Sequence, residues 1–238
     1  MDHKKHFDKK NIHDKSLIIL LAVALFVIII FGSLNVMIFN KDFYIKEYSK
    51  NHVYEKLSSD PVIADEIARN ATDDLTRYFR SYDNKELRYY TPTEMDHLKD
   101  VRGLIHTMQF IYYGAALVSI AIFLYCYQKF KDDRLEFIRI LAKTLLYSSI
   151  AAMAFLVAIF LLCVFQFDLT FTIFHMIFFP QGNWMFESSS MLITLFPEQF
   201  FMDISLRIFV YAMFQSLIFL GIGYWMRKQV KTQERHHR

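Results

Sequence analysis

Glycine and proline are scarce in this sequence, with six Gly and four Pro among 238 residues, and cysteine is scarcer, with two. So few turn-forming residues argue against a small loop-rich fold and favour long helices. Cys126 lies near the end of the second apolar run and Cys163 near the end of the third, at what should be opposite faces of a membrane, which argues against a disulfide or a thiolate metal site. The sequence is instead rich in apolar side chains, because 54% of its residues are hydrophobic and 17% are aromatic.

Four apolar runs are each long enough to cross a hydrocarbon core of ~30 Å, which takes about 20 residues. They are residues 17–39, 103–127, 141–167 and 204–226. The first run is too long for the apolar part of a secretory signal, and no small-residue cleavage site follows it, so we expect a retained anchor. The sequence predicts an all-α polytopic membrane protein, a bundle of four transmembrane helices with helical extracytoplasmic segments.

Positive charge predicts which segments face the cytoplasm, because loops rich in Lys and Arg resist translocation. Residues 1–16 and 128–143 each carry five basic residues against three acids, and residues 227–238 carry five against one. Residues 40–102 carry 11 basic and 13 acidic residues, whereas residues 168–203 carry four acids and no Lys or Arg. We therefore expect cytoplasmic segments at 1–16, 128–140 and 227–238, and extracytoplasmic segments at 40–102 and 168–203. No basic stripe suggests a nucleic-acid partner.

The sequence predicts two helix starts within residues 40–102. Asp60 followed by Pro61 is typical of a helix cap and a first-turn proline. Thr91 and Glu94 match a capping box, with Pro92 at the first helical position. The apolar residues of the first helix recur at helical spacing, and they are Ile63, Ile67, Leu75 and Phe79. The second helix should run toward the second span, and Gly103 is the position at which this helix could be interrupted.

The candidate catalytic residues lie in the two external segments. His175 is held in a strongly apolar stretch, where burial would keep its imidazole neutral, as a general base requires. His97 has Asp100 three residues away, a spacing that allows the carboxylate to orient the ring, and Asp96 lies beside it. A hydrogen-bonded interfacial histidine and a solvated surface histidine are the respective alternatives. The segment around His175 cannot be a simple solvated loop and should lie in the outer interface or re-enter the bilayer.

Arg207 lies four residues after Asp203 at the outer end of the last span, a spacing that permits an ion pair. An anionic headgroup is a secondary possibility for this arginine. The sequence contains no phosphate-binding loop, dinucleotide fingerprint or helical metal-binding motif.

Two stretches resemble one bacterial family. They are Glu94 to Val101, with sequence EMDHLKDV, and Phe174 to Trp184, with sequence FHMIFFPQGNW, continuing to LFPE at 195–198. Together with four helices and two external segments, they are similar to the lipoprotein intramolecular transacylases. The resemblance implies an enzyme of the bacterial cell membrane, with both termini in the cytoplasm and its active site at the outer face.

The resemblance also implies a reaction and a catalytic pair, His97 and His175. The family moves the sn-2 acyl chain of a diacylglyceryl lipoprotein to the α-amine of its own N-terminal cysteine, giving the lyso-form. We expect the histidines to act as general acid and base, with no cofactor, no metal and no obligate protein partner besides the lipoprotein substrate and membrane lipid. Asp100 as the orienter of His97, and Asn183 and Trp184 as residues that shape the pocket, are our further predictions.

Two alternatives remain open at this point. In one, His97, His175 and a carboxylate bind zinc and activate water for lipid or amide hydrolysis. In the other, the chain is a non-catalytic membrane scaffold whose external segments bind a partner. The sequence does not indicate whether the two histidines approach each other, because 77 residues and two spans separate them.

Overall fold

A computed structural model describes residues 2–83 and 85–236, with side chains described for residues 15–83 and 85–235. The ends of the predicted cytoplasmic tails, residues 1 and 237–238, lie outside this description. The regular elements of the described residues are all helices. They are α1 (Asp2–Ile38), α2 (Lys41–Lys50), α3 (Val53–Leu57), α4 (Pro61–Arg80), α5 (Pro92–Lys129), α6 (Arg134–Phe165), α7 (Phe167–Phe178), α8 (Met191–Leu195) and α9 (Glu198–His236).

Four of these helices, α1, α5, α6 and α9, are long and apolar enough to cross a membrane. The predicted fold class, an all-α polytopic membrane protein with four transmembrane helices, is therefore confirmed. Two details differ from expectation. α5 continues through Gly103 without a break, and the third apolar run is divided at Gln166 between α6 and the separate 12-residue helix α7. At about 1.5 Å per residue, α7 is too short to span a bilayer.

Both predicted helix starts are confirmed. The Asp60 carboxylate accepts hydrogen bonds from the backbone N–H groups of Val62, at 2.8 Å, and Ile63, at 3.4 Å, and α4 begins at Pro61. α5 begins at Pro92. Of the apolar residues at helical spacing in α4, Leu75 and Phe79 are buried, whereas Ile63 is 49% exposed. Most of the remaining buried face consists of smaller residues. Its buried residues are Ala64, Ala68, Ala71, Thr72, Leu75, Thr76, Tyr78 and Phe79.

The chain divides into two compact units. The first contains residues 1–33, 110–157 and 210–238. Its core includes a cluster of buried residues from three helices and the α5–α6 turn, namely Ile18, Leu21, Ile122, Cys126, Phe130 and Ile140. α6 and α9 approach closely in this unit, since a Cβ added to Gly223 would lie 3.0 Å from Cβ of Leu145.

The second unit contains residues 34–109 and 158–209, and it holds both candidate catalytic histidines. Its core is rich in aromatic side chains, which bury a large apolar area each. For example, the rings of Tyr44 and Phe200 have centroids 5.3 Å apart, and the buried Tyr48 hydroxyl accepts a hydrogen bond from Thr72 at 3.0 Å. This packed core supports the helices from which the site is built.

Candidate active site

His97 lies in the second turn of α5, and the capping box fixes where that turn begins. The Glu94 carboxylate accepts hydrogen bonds from the backbone N–H and the hydroxyl of Thr91, both at 2.8 Å, so α5 starts at a defined residue. The His97 side chain is buried, and its ring contacts Phe179 and Phe186, with centroid distances of 4.8 and 5.6 Å. The alternative of a solvated surface histidine is therefore wrong.

His175 lies in the last turn of α7 and is also buried, as the apolar stretch around it predicts. Its Nδ1 lies 2.8 Å from the carbonyl oxygen of Phe171, one helical turn earlier. A carbonyl oxygen only accepts hydrogen bonds, so Nδ1 carries the proton in this contact. In the neutral imidazole, Nε2 is then the nitrogen with a free lone pair.

The structure brings the two histidines together. Their ring centroids are 6.1 Å apart, and the ring planes are inclined by 23°. At this spacing, one reacting group can lie within ~3 Å of a nitrogen on each ring, which is the reach of a general acid or base. The arrangement is therefore suited to proton transfer to and from two neighbouring atoms of a substrate.

Five aromatic side chains surround the histidine pair and form what we call the aromatic enclosure. Around His175, the ring centroids of Phe171 and Trp184 lie at 4.1 and 4.7 Å. The complete set is Phe171, Phe174, Phe179, Trp184 and Phe186. Trp184 is predicted to shape the pocket, and its ring lies beside His175, tilted by 35° from the imidazole plane. Such surroundings exclude water and offer apolar surface to hydrocarbon chains.

Burial within the aromatic enclosure lowers the pKa of the His175 imidazole below its ordinary value of 6.5, and the hydrogen bond to the Phe171 carbonyl opposes this effect in part. Burial disfavours the charged form because the imidazolium loses hydration. Because its pKa is lowered, His175 is neutral at pH 7 and takes up a proton only on acidification.

The fluorescence of Trp184 should report this titration, because a protonated imidazole in contact with an indole quenches its emission. In a Trp225→Phe background, which leaves Trp184 as the single tryptophan, we expect constant emission as the pH falls to 6.5 and a decrease with its midpoint below that value. His175→Asn should remove the transition. A midpoint at or above 6.5 would contradict the assigned burial of the ring.

Asp100 has a different partner from the one predicted. Its Oδ2 accepts hydrogen bonds from the side-chain amides of Gln181, at 2.6 Å, and Asn183, at 2.7 Å. Both amides belong to the turn that follows α7, where the Gly182 N–H bonds the Phe179 carbonyl and Gly182 has φ of 77°, a conformation that favours glycine. Asp100 therefore orients the turn rather than bonding the His97 ring directly.

Asn183 links Asp100 to His97. Nδ1 of His97 and Oδ1 of Asn183 are both buried, and neither makes a hydrogen bond of standard geometry among the described residues, although the Asn183 side chain is close enough to act as a hydrogen-bond partner of His97. The pairing that satisfies both atoms is a hydrogen bond from Nδ1–H to Oδ1. Asp100 holds the amide nitrogen of Asn183 and so turns the amide oxygen away from itself, which makes that oxygen available to the ring.

The carbonyl of Asn183 should therefore matter more than the amide of Gln181, although both side chains bond the same carboxylate. We expect Asn183→Ala to lower the rate of the catalysed reaction about tenfold, because a lost hydrogen bond to the His97 ring costs about 1.4 kcal/mol, while Gln181→Ala, whose side chain is exposed, has a smaller effect. Single-turnover rates of the two purified variants provide the measurement. Equal losses would show that Asn183 acts only by holding the turn.

The structure does not bring the remaining predicted residues to the histidines. Asp96 is exposed on α5, whereas His97 next to it is buried. Asp203 pairs with Lys50, whose Nζ lies 2.5 Å from its Oδ2, so the ion pair expected between Asp203 and Arg207 does not form. Arg207 is exposed on α9. For Asp203, the position of Lys50 on a neighbouring helix decides the ion-pair partner, and the spacing to Arg207 along α9 does not.

Four further residues contribute to the site, although the sequence predicted no individual role there for any of them: Glu94, Phe171, Phe179 and Phe186. A signal existed for two of them. Phe171 and Phe179 lie four residues before and after His175, on the same side of a helical path. Glu94 was recognised only as part of the capping box.

Metal ligation receives little support from the grouping of side chains. Among the side chains that the structure describes, those of residues 15–83 and 85–235, no three from His, Cys, Asp or Glu lie close enough together to hold a metal ion. His97 and His175 have amide, carbonyl and aromatic neighbours instead.

Fold and site together define an integral membrane protein with four spanning helices and a buried pair of histidines. The family model of the lipoprotein intramolecular transacylase Lit matches residues 19–201, most of the chain. The chain belongs to this family and is an enzyme. A search of curated protein sequences gives no match.

Solved structures of the lipoprotein intramolecular transacylase Lit from Bacillus cereus have the same fold. One superposes with a TM-score of 0.79 at 19% sequence identity, covering 93% of this chain and 99% of the other. Two variants of that protein, with a histidine replaced by arginine or by alanine, give TM-scores of 0.77 and 0.76 at 18% identity. The arginine variant covers 98% of this chain and 100% of its own, and the alanine variant 95% and 99%.

Proposed function

We propose that this enzyme moves the sn-2 acyl chain of a diacylglyceryl lipoprotein to the α-amine of the lipoprotein's own N-terminal cysteine. His97 and His175 act as general acid and base, and no cofactor or enzyme nucleophile takes part. The reaction occurs at the outer face of the bacterial cell membrane. Membership of the transacylase family supports the substrate class, and the paired histidines support the chemistry.

The observation that carries the proposal is the pairing of two buried imidazoles, whose ring centroids lie 6.1 Å apart. His175 donates through Nδ1 to the Phe171 carbonyl, and the bond inferred from Nδ1 of His97 to Asn183 would leave Nε2 of each ring for the substrate. Two neighbouring imidazoles of this kind are more than a structural hydrogen bond requires. They suit a reaction in which protons move between two substrate atoms.

The proton balance of the reaction explains why two histidines are useful. An α-amine with a pKa near 8 is mostly an ammonium at pH 7, so it loses two protons on becoming an amide nitrogen. One imidazole takes the first proton, and the amine then attacks the ester carbonyl. The second imidazole takes the next proton as the first returns its own to the departing glycerol oxygen. The C–O ester bond breaks, the C–N bond forms, and one proton is released to solvent.

Much of the acceleration comes from the substrate itself, because amine and ester belong to one molecule. Holding them in the reacting geometry supplies a high effective molarity. The enzyme must also keep water out, since water would attack the ester and release a fatty acid. The aromatic enclosure is suited to that task.

The outer side of α7 gives a lipid substrate a route to the site. His175 lies on one side of this helix, while Leu169, Ile173 and Ile177 are exposed on others, with exposed fractions of 54%, 47% and 65%. No Lys or Arg occurs between residues 166 and 206. A short apolar helix of this kind is stable at the acyl boundary of a bilayer, where acyl chains can approach His175 sideways.

Charge supports the orientation. The basic segments 1–16, 128–140 and 227–238 would face the cytoplasm, which places both termini inside. The segments 40–102 and 168–203, which carry the two histidines, would then face outward. This is the side on which a lipid-anchored protein is displayed.

Mass spectrometry of a reporter lipoprotein tests the proposal. The N-terminal lipopeptide is isolated from bacteria with and without this enzyme, and fragmentation locates each acyl chain. We expect one chain to move from glycerol to the cysteine amine with the total acyl mass unchanged. A mass lower by one acyl group would identify a hydrolase, and an unchanged lipopeptide would reject both activities.

A further inference from the structure

We infer that Glu94 is a positioning residue for the reaction, because it anchors the segment that closes over His97. The inference rests on the proposed function for its effect on rate, whereas the anchor itself is a structural claim. We call residues 179–192 the covering segment. It carries Asn183, Trp184 and Phe186, which contact one or other histidine.

The Glu94 side chain is 1% exposed and holds two parts of the chain at once. Its Oε2 accepts the two hydrogen bonds from Thr91 that cap α5. Its Oε1 accepts a hydrogen bond of 2.8 Å from the backbone N–H of Leu192, 98 residues later, at the start of α8. A buried carboxylate is costly unless its oxygens are well bonded, and here both are.

Glu94, His97 and Asp100 are spaced three residues apart and therefore follow one side of α5. The two carboxylates bond opposite ends of the covering segment. Asp100 holds Gln181 and Asn183 near its beginning, and Glu94 holds Leu192 at its end. The imidazole of His97 lies between these two points of attachment.

Residue 94 needs a carboxylate to make both contacts. A capping box needs one acceptor oxygen, and glutamine satisfies it as well as glutamate. Simultaneous acceptance from Thr91 and Leu192 needs two acceptor oxygens. In Glu94→Gln one of them becomes an NH₂ donor, which cannot bond another N–H, so the cap or the anchor is lost.

The test compares Glu94→Gln with Thr91→Ala in a Trp225→Phe background. Thr91→Ala removes the hydroxyl from the cap but leaves the contact from Glu94 to Leu192. Two quantities are measured in the full-length purified enzyme: the emission of Trp184, and the ratio of free fatty acid to transferred acyl chain. Glu94→Asp, which is too short to reach Leu192, replaces Glu94→Gln if that variant does not accumulate.

We expect Glu94→Gln to lower kcat about tenfold or more, because a misplacement of ~1 Å at a reacting centre can cost 100-fold. It should change the emission of Trp184 and raise the share of ester lost to water, which adds its oxygen to the acyl carbon while the glycerol oxygen takes the proton. Thr91→Ala should leave the emission and the product ratio near those of the parent.

Unchanged Trp184 emission and product ratio in Glu94→Gln would overturn the inference and reduce Glu94 to a helix cap. Equal changes in Thr91→Ala would do the same. If the parent enzyme itself transfers no acyl chain, the proposed function fails, while the emission of Trp184 still decides whether Glu94 anchors the covering segment.

Discussion

His175→Asn should lower the rate of acyl transfer about 1,000-fold, because a positioned general acid or base typically contributes 10²- to 10⁴-fold. Asparagine is chosen because its amide nitrogen takes the place of Nδ1 and can donate to the Phe171 carbonyl, which His175 bonds at 2.8 Å. The helix contact is then preserved while the basic nitrogen is lost. The rate is measured as transfer of acyl chain to the amine of a synthetic diacylglyceryl lipopeptide.

His106→Gln is the matched control. His106 also bonds a backbone carbonyl, with Nε2 2.9 Å from the oxygen of Phe79, and its ring stacks on Tyr82 rather than in the aromatic enclosure. Glutamine places an amide nitrogen where Nε2 stood. This control should keep activity within about twofold, as is usual for substitutions that retain the buried partner. A His175→Asn enzyme with more than a tenth of the parent rate would exclude His175 as the base.

Local signals in the sequence identified the beginnings of helices. Asp60 with Pro61, and Thr91 with Glu94, act on backbone N–H groups two or three residues away, so their effect is contained in the sequence around them. The apolar runs likewise predicted four spans, because length and hydropathy are local properties. The burial of His175 was also predictable from the local sequence, because its neighbours along the chain are apolar.

Pairings between polar side chains were not predictable in the same way. Asp100 was expected to bond His97, and Asp203 to pair with Arg207, from spacings of three and four residues. Each such pair of side chains on one helix stabilises that helix by only about 0.2–0.5 kcal/mol. Amides from the turn after α7 bond Asp100, and Lys50 of α2 pairs with Asp203, because tertiary packing supplies better-placed donors.

No local feature of the sequence predicts the distance between the two histidines. A chain of 77 residues with two spans connects them, and nothing in either motif encodes their approach. In the structure, the covering segment returns to the first turns of α5 through Asn183 and Leu192, and this return places the rings 6.1 Å apart. The site is thus specified by contacts between distant segments.

His97→Phe should also reduce acyl transfer about 1,000-fold. Phenylalanine keeps a ring in contact with Phe179 and Phe186, which lie 4.8 and 5.6 Å from the His97 ring centroid, but it has no nitrogen. Loss of packing is therefore a minor factor in this variant. Thermal unfolding in detergent should show a melting temperature only slightly below that of the parent, because Oδ1 of Asn183 loses its partner. A small shift of this kind separates lost chemistry from lost structure.

The double variant, His97→Phe with His175→Asn, distinguishes a shared proton pathway from two independent contributions. If the two imidazoles exchange the protons of one reaction, removing either disables the pathway, and removing both should cost little more than removing one. Independent contributions would instead multiply, to about 10⁶-fold. A multiplied loss, or a His97→Phe enzyme that retains most of its rate, would contradict the joint role. The spacing of 6.1 Å between the rings favours the shared pathway, because both can reach one reacting group.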